Sequence, residues 1–424
     1  MDKSNSQTQG ISRRSAIKNI AAGSVVLGAL GALSGCGKNP TDPKDEPVQV
    51  SEDGGISILE EFSESDDKLD LAYEIDLPNG TILKPSTGSW IPCLCAGEVA
   101  SRIVTASAVS VASGKLYKVV AETFDKTPSE VISDVSCSDD LFAWVEIDML
   151  TRAWKLYAAP FKDGAIGDVT SLWTAGKDYD PPSICCVGKK VLWQVMPNPN
   201  SSKRTEHSFC YVWSLGDKDA KAQVDSPGRF ATPISVSADK VILCPRTQGS
   251  KSGINYKIGV YSLEDNLATE LDSLVLPSPI KPLYATYING DFVFSIEANY
   301  ETKGLFSRMG TYIGKGEGPY YVLSREPYSN VCGSDDGVFV IKNRSSYFVV
   351  NIQNKTYSIL PAQDRCVDYG EYPASEGVKS VFTTFSTIKD EKTGYPSSVK
   401  VRSFTLWVCN LGGSRVTLCT SMYQ

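Results

Sequence analysis

His207 is the only histidine in the chain, and that scarcity removes several chemistries. A Ser-His-Asp arrangement would have to use it, yet it closes the polar segment 198–207, which has no nucleophile-elbow motif. One imidazole cannot build a multi-histidine zinc, copper or non-haem iron site. No Walker, Rossmann or EF-hand pattern occurs, so no cofactor is expected. Carboxylates are abundant, at 49 Asp and Glu. A two-carboxylate hydrolase or lyase acting on glycans therefore stays open as the enzymatic alternative.

The cations are less evenly spread. Segment 245–257 holds Arg246, Lys251 and Lys257, and segment 342–346 holds Lys342 and Arg344, neither with an acid. Segment 386–402 has Lys389, Lys392, Lys400 and Arg402 against Asp390 and Glu391, and segment 196–210 has Lys203 and Arg204 against Glu206. Together the four segments carry +8 in a chain of net charge −7. Clustered charge focuses field and steers an oppositely charged ligand. Lys203, Arg204, Arg246, Lys251, Lys257, Lys342, Arg344, Lys389 and Lys392 are accordingly the candidate binding residues. The ligands that fit are an acidic glycan, an anionic envelope polymer, a lipid headgroup or an acidic protein surface. Solubilising charges on exposed loops are the plain alternative. Tyr256, Phe306, Tyr347 and Tyr395 interleave these charges and could stack on a sugar or peptide.

Twelve cysteines suggest a disulfide framework. Most, however, sit inside apolar strand-like runs, where a thiol behaves as a small hydrophobe. Cys93 and Cys95 would face one side of a strand, and the adjacent Cys185 and Cys186 opposite sides. Buried free thiols are the favoured reading.

What positions these residues is a repeat. Leu141–Val145, Val191–Val195, Val241–Cys244, Phe292–Ile296, Val338–Ile341 and Val378–Phe382 are short apolar strands, with Ile103–Thr105 as the earliest match. Their centres, Val104, Trp144, Trp193, Ile242, Phe294, Val340 and Phe382, are separated by 40, 49, 49, 52, 46 and 42 residues. A following aromatic-rich strand recurs at Lys115–Val119, Lys155–Ala159, Tyr211–Trp213, Ile258–Tyr261, Thr311–Ile313, Tyr347–Val350 and Phe404–Trp407. Asp139-Asp140, Gly188-Lys189, Asn289-Gly290 and Asp335-Asp336-Gly337 punctuate the units. No stretch here sustains a capped helical period. The expected fold is all-β, a β-propeller of seven units. Six or eight stay open because Leu71–Leu83, which reads as a hairpin, is unassigned; it would complete a blade or cap an edge. The period and strand pattern resemble the WD-repeat and TolB-like class of bacterial propellers over residues 90–424. The WD dipeptide is absent, so the resemblance implies no particular partner. Ser334–Gly337 is similar to the Asp-box of sialidase propellers but lacks its spacing and terminal Trp, and reads as a turn.

The N-terminus carries an address. Ser12-Arg13-Arg14-Ser15-Ala16-Ile17-Lys18 precedes a 14-residue apolar run, Ile20–Leu33, that ends in Leu33-Ser34-Gly35-Cys36. The run is shorter than the roughly 20 residues a membrane span needs, and the layout is that of an export signal. The Arg13-Arg14 motif resembles a twin-arginine signal, although that family prefers a bulkier residue at Ala16. Leu33–Cys36 resembles a bacterial lipobox. The resemblance implies lipid attachment at Cys36 and an extracytoplasmic protein tethered to the cell membrane, because two acyl chains anchor stably. Residues 1–35 are then the signal, 36–55 a solvated linker rich in proline and charge, and 56–424 the propeller. Removing the signal takes the net charge from −7 to −10, which argues against nucleic acid as a partner. A monomer acting as a binding or scaffold module is expected.

Overall fold

The computed structural model describes residues 46–96, 102–103, 105–249, 253–325, 330–343, 346–363 and 370–406, and the backbone of 410–411 and 414–415. Arg13, Arg14, Cys36, Val104, Lys251, Arg344 and Trp407 lie outside the described residues.

Short apolar runs, the second strands buried along nearly their whole length, alternate with tight turns, and the strands form antiparallel meanders. Sheet I comprises Thr81–Leu83, Trp90–Cys95, Thr105–Ser110 and Leu116–Val120. Sheet II comprises Glu130–Cys137, Leu141–Asp148, Trp154–Lys162 and Thr170–Ala175. Ile184–Val187, Lys190–Val195, Ser208–Ser214 and Lys221–Ser226 make sheet III. Sheet IV is Ser235–Ser237, Lys240–Leu243, Gly253–Ser262 and Glu270–Val275, with Arg246–Gly249 folded back on its long third strand. Sheet V is Pro282–Ile288, Asp291–Ile296, Gly310–Gly314 and Tyr320–Leu323. Sheet VI is Cys332–Gly333, Val338–Asn343, Ser346–Asn351 and Thr356–Pro361. These six are built from consecutive strands. A further antiparallel sheet, VII, joins the two ends of the chain: Tyr372–Pro373, Val381–Lys389 and Pro396–Thr405 lie side by side, and Asp70–Pro78 pairs with Pro396–Thr405 at the outer edge.

The first strands of the sheets touch one another. Cys186 N–H donates to Ser136 Oγ (2.9 Å), Ser235 Oγ to Thr286 Oγ1 (3.0 Å) and Tyr284 OH to Val331 O (3.2 Å). Gly377–Val378 pairs in parallel with Cys332–Gly333. The first strands are therefore innermost and the sheets radiate from them, which is a β-propeller. The core is divided accordingly. Trp144 and Tyr157 pack towards Leu94 and Val120 between sheets I and II, and Trp193 and Cys186 pack towards Trp154 and Leu156 between II and III. Leu77, Val399 and Val401 pack on Leu83, Ile91 and Cys93, which joins sheet VII to sheet I.

Two connections between first and second strands are long and enter the centre. Thr87 Oγ1, from sheet I, donates to Cys137 O (3.2 Å) and Cys186 O (2.6 Å) on the innermost strands of sheets II and III. From sheet VII, Val378 N–H donates to Ser237 Oγ (3.0 Å) and Gly377 N–H to Val331 O (2.9 Å). Gly377 has φ +68°, and a Cβ there would lie 2.5 Å from Val236 O, so only glycine fits.

Several expectations need correction. The apolar strands centred on Trp144, Trp193, Ile242, Phe294, Val340 and Phe382 are the second strands of their sheets; an innermost strand precedes each, of only two to four residues in sheets III, IV, VI and VII. Short strands of three or four residues leave little periodicity to read. The earliest match was misplaced, because sheet I has Trp90–Cys95 as its second strand, whereas Thr105 opens its third and Lys115–Val119 overlaps its fourth. The segment Leu71–Leu83 is not a hairpin: Asp70–Pro78 completes sheet VII and Thr81–Leu83 begins sheet I. Within the stretch expected to be a solvated linker, Val48 N–H donates to Val275 O (3.0 Å) and Val50 is buried. Gly55–Ser57 then adds to the outer edge of sheet V, in parallel with Tyr320–Val322, which covers an otherwise open edge.

Candidate anion-binding cleft

In a four-stranded meander the second-to-third loop and the linker to the next sheet emerge on the same face. On that face, a cleft of about 370 Å³ opens between sheets III and IV. Its walls are the linker into sheet III (Pro181, Ser183), the end of that sheet's second strand (Gln194, Met196), the linker into sheet IV (Arg229–Pro233), the Arg246–Tyr256 strand pair and Lys281.

Each polar group in the cleft is fixed by its surroundings. Arg246 N–H donates to Ser226 Oγ (2.9 Å), and its guanidinium donates to Tyr256 OH from Nε (3.3 Å) and Nη2 (3.1 Å). The guanidinium carbon lies 5.2 Å from the Tyr256 ring centroid. Gly228 makes room for it, since a Cβ there would sit 2.9 Å from Arg246 Cδ. Arg229 is tied to Asp180 (2.8 Å) and donates to Pro197 O. Asp180 is itself held by Asn198 Nδ2 (2.8 Å). Lys281 is exposed at the rim.

Gln194 is fully buried. Its Nε2 donates to Thr232 O at 3.2 Å, which fixes the amide orientation, and its Oε1 is left without a partner. A buried acceptor with no donor is costly. The cleft thus presents Arg246 and Lys281, with Arg229 paired to Asp180, and no acidic side chain among its lining residues; the unused Gln194 oxygen lies beneath its wall.

The candidate cations named from the sequence meet different fates. Arg246 lines the cleft. Lys203 and Arg204 stand in the sheet III loop, with Lys203 Nζ on Tyr179 OH (3.2 Å). Lys257 bonds Glu270 (2.7 Å) on the neighbouring outer strand. Lys342 turns inward, 4% exposed, with Nζ 4.8 Å from the Tyr347 ring centroid. Lys389 and Lys392 sit on the hairpin of sheet VII, remote in sequence from the cleft. The sequence reading missed Arg229, Lys281 and Gln194. Arg229 and Lys281 lie on inter-sheet linkers, outside the four basic segments of the sequence. Gln194 looks like one more strand residue until its unused oxygen is located.

Other polar groups bear on the enzymatic alternative. At the junction of sheets I and II, Glu146 is fully buried and accepts from Trp144 Nε1 (2.9 Å) and twice from Phe124 N–H (3.2 and 3.0 Å). Glu130 lies one residue pair away on the same sheet face, 3.9 Å from Lys155 Nζ. Desolvation raises both carboxyls above their ordinary range. In the centre, burial pushes the half-buried Glu376 up to about 7, against the opposing pull of Lys379. Among the described residues, no group of three or more His, Cys, Asp or Glu is placed to hold a metal ion. The eight described cysteines are free thiols, and all but Cys95 are buried. His207 Nδ1 faces Asp225 at 2.8 Å on the surface.

No family model and no curated protein matches the sequence. Among solved structures, the chain is similar to a puromycin hydrolase (11% identity, TM-score 0.46), with 88% of this chain and 58% of that chain covered. It therefore spans less than two thirds of that hydrolase. It is similar to an oligogalacturonate lyase in complex with manganese (9% identity, TM-score 0.44), covering 81% of this chain and 96% of that one. A third likeness is to the polysaccharide lyase Uly1 (9% identity, TM-score 0.43), covering 86% and 98%. These are likenesses of overall shape; the propeller assignment rests on the sheets themselves.

Proposed function

We propose that this chain is a lipid-anchored, extracytoplasmic β-propeller that binds an anionic ligand in the cleft between sheets III and IV. The observation that carries the reading is the grouping of Arg246 and Lys281, beside the Asp180-paired Arg229, around about 370 Å³ with no acid among the lining residues. In a chain of net charge −7 that is a local reversal of sign, and it would draw anions to one place. The Arg13-Arg14 motif and the Leu33–Cys36 lipobox support the location, with Cys36 as the lipidated residue. Counting sheet VII, built from both ends of the chain, as a blade makes the propeller seven-bladed, closed by Asp70–Pro78. The protein works as a monomer, with the lipid as its contact to the membrane.

Affinity of the full chain for oligogalacturonate, measured by calorimetry at rising salt, tests this reading. Binding that weakens steadily with ionic strength is expected. Salt-independent binding, or none to any anionic oligomer, would count against it.

One observation favours a second reading, a carboxylate-dependent hydrolase or lyase. Glu130 and Glu146 are adjacent and both raised, as general acids must be. Glu146, however, is engaged in holding the sheet I–II junction together, whereas Glu130 Oε2 is buried without a partner. Glycan cleavage that disappears in Glu130→Gln with the melting temperature kept would establish the enzyme.

A further inference from the structure

We propose, building on the lipid-anchor reading above, that the face of the propeller bearing the cleft rests on the bilayer, docked by the loop tips at Leu150, Tyr300 and Tyr395.

These three are the most exposed large hydrophobic side chains among the described residues, at 83%, 95% and 74%. One exposed apolar side chain is ordinary. Their shared position is not: each stands in a second-to-third loop, of sheets II, V and VII respectively. Those loops emerge on one face, and no two of the three sheets are consecutive, so the tips make a broad base. Ile254, also exposed, projects on the same face from the hairpin of sheet IV.

Local turns hold the tips in place. Asp148 Oδ1 accepts from Leu150 N–H (2.8 Å), and Met149 N–H donates to Ser129 O (3.0 Å). Beside Tyr300, Asn299 N–H donates to Ser307 O (2.9 Å) and Glu301 N–H to Asn299 Oδ1 (3.0 Å). Asp390 N–H donates to Tyr395 O (2.9 Å). Turns fixed in this way lose little freedom on docking. A tyrosine has an apolar ring and a polar end, which suits the boundary between acyl chains and headgroups. Arg152, Lys303 and Lys392 stand within three residues of the tips, where headgroup phosphates would meet them. Glu301 and Glu391 offset much of that charge, so apolar contact dominates.

The tether leads to the same face. Val48 N–H donates to Val275 O (3.0 Å), and Val275 ends the outer strand of sheet IV opposite Lys257. The next residue, Leu276, donates its N–H to the main-chain oxygen of Tyr256 (2.9 Å), a cleft residue. Val50 O accepts from Leu305 N–H (3.0 Å), in the loop that carries Tyr300. The chain therefore enters the propeller on the side of the tips. About ten residues separate Cys36 from Glu46, a reach of at most about 35 Å. Turning the opposite face to the bilayer would spend about 20 Å of that reach along the six-residue outer strand of sheet IV. The short route sets the tips on the membrane, with the cleft opening towards its surface.

The test uses the lipid-modified chain in vesicles of phosphatidylcholine and phosphatidylglycerol that contain a diazirine phospholipid. Labelled peptides are identified by mass spectrometry after irradiation. Residues 149–152, 299–303 and 390–395 should be labelled, and the opposite face, marked by the exposed Leu215, should not. Leu150→Ser combined with Tyr300→Ser and Tyr395→Ser should lose most of the labelling at all three loops while the anchor keeps the chain on the vesicles. Since the three side chains are exposed, that variant should melt with the parent. Equal labelling of both faces, or none, in a vesicle-bound chain would overturn the docking and leave the anchor standing. A chain that carries no lipid on Cys36 and does not float with the vesicles would remove the anchor reading and the docking with it.

Discussion

Arg402 grips Glu371 with two parallel bonds, Nε to Oε1 at 2.8 Å and Nη2 to Oε2 at 2.5 Å, beside the strands where the two ends of the chain meet. Glu371 is fully buried and also accepts from Gln363 N–H (2.6 Å) and Thr384 Oγ1. A buried pair of this kind is weak evidence of net stabilisation, but breaking it leaves an uncompensated charge. Arg402→Met should cost about 3–5 kcal/mol in chemical denaturation. A loss below about 1 kcal/mol would show that the pair is not closing the ring.

The same junction depends on the N-terminal strand. Asp70–Pro78 supplies the outer strand of sheet VII, and Leu77 is buried against sheet I. Leu77→Ala should cost about 2–5 kcal/mol. Hydrogen exchange should show opening first in Pro396–Thr405, its partner strand. Uniform exchange through all sheets would contradict closure at this seam.

Glu376 makes stability depend on pH in a definite direction. Its folded-state value, about 7, lies above its ordinary one. Its contribution is therefore fully present below the ordinary carboxyl range and is lost as pH rises through about 7. Glu376→Gln should melt higher than the parent at pH 8 and close to it at pH 5. The opposite order would place the carboxylate in a charge-stabilising site.

Cys95 is the reactive thiol among the described cysteines. A hydrogen bond from Cys93 is the largest influence, and it brings Cys95 down to about 6 against the effect of burial. Burial pushes Cys137, Cys185, Cys186, Cys210, Cys244 and Cys332 the other way. Iodoacetamide at pH 7 should label Cys95 ahead of all of these in the folded protein, read by peptide mass spectrometry. Equal labelling of Cys95 and Cys137 would refute the assignment.

Much of the architecture was legible because its signals are local. A buried second strand such as Leu141–Asp148 is long and apolar, so its period of 40 to 52 residues survives in the sequence. Innermost strands such as Cys332–Gly333 are too short for any periodicity. The pairing of Asp70–Pro78 with Pro396–Thr405 spans almost the whole chain, and no local pattern encodes it. The site followed the same rule. Arg246 belonged to a basic run and was found, whereas Lys281 is a single cation on an inter-sheet linker that only the fold brings to the same cleft. Lys342 shows the converse, a run of positive charge whose first member points into the protein.

The account turns on the cleft between sheets III and IV, and paired variants test it most directly. Trigalacturonate affinity should be measured for the parent, for Arg246→Ser with Lys281→Ser, and for Lys389→Ser with Lys392→Ser, at one salt concentration and with melting temperatures checked. Each pair removes two charges, so bulk electrostatics changes equally. The first pair should weaken binding at least about tenfold, the loss of one charge-assisted contact, and the second should leave it within about twofold. Equal losses from both pairs, or a larger loss from the second, would contradict a cleft between these sheets as the binding site.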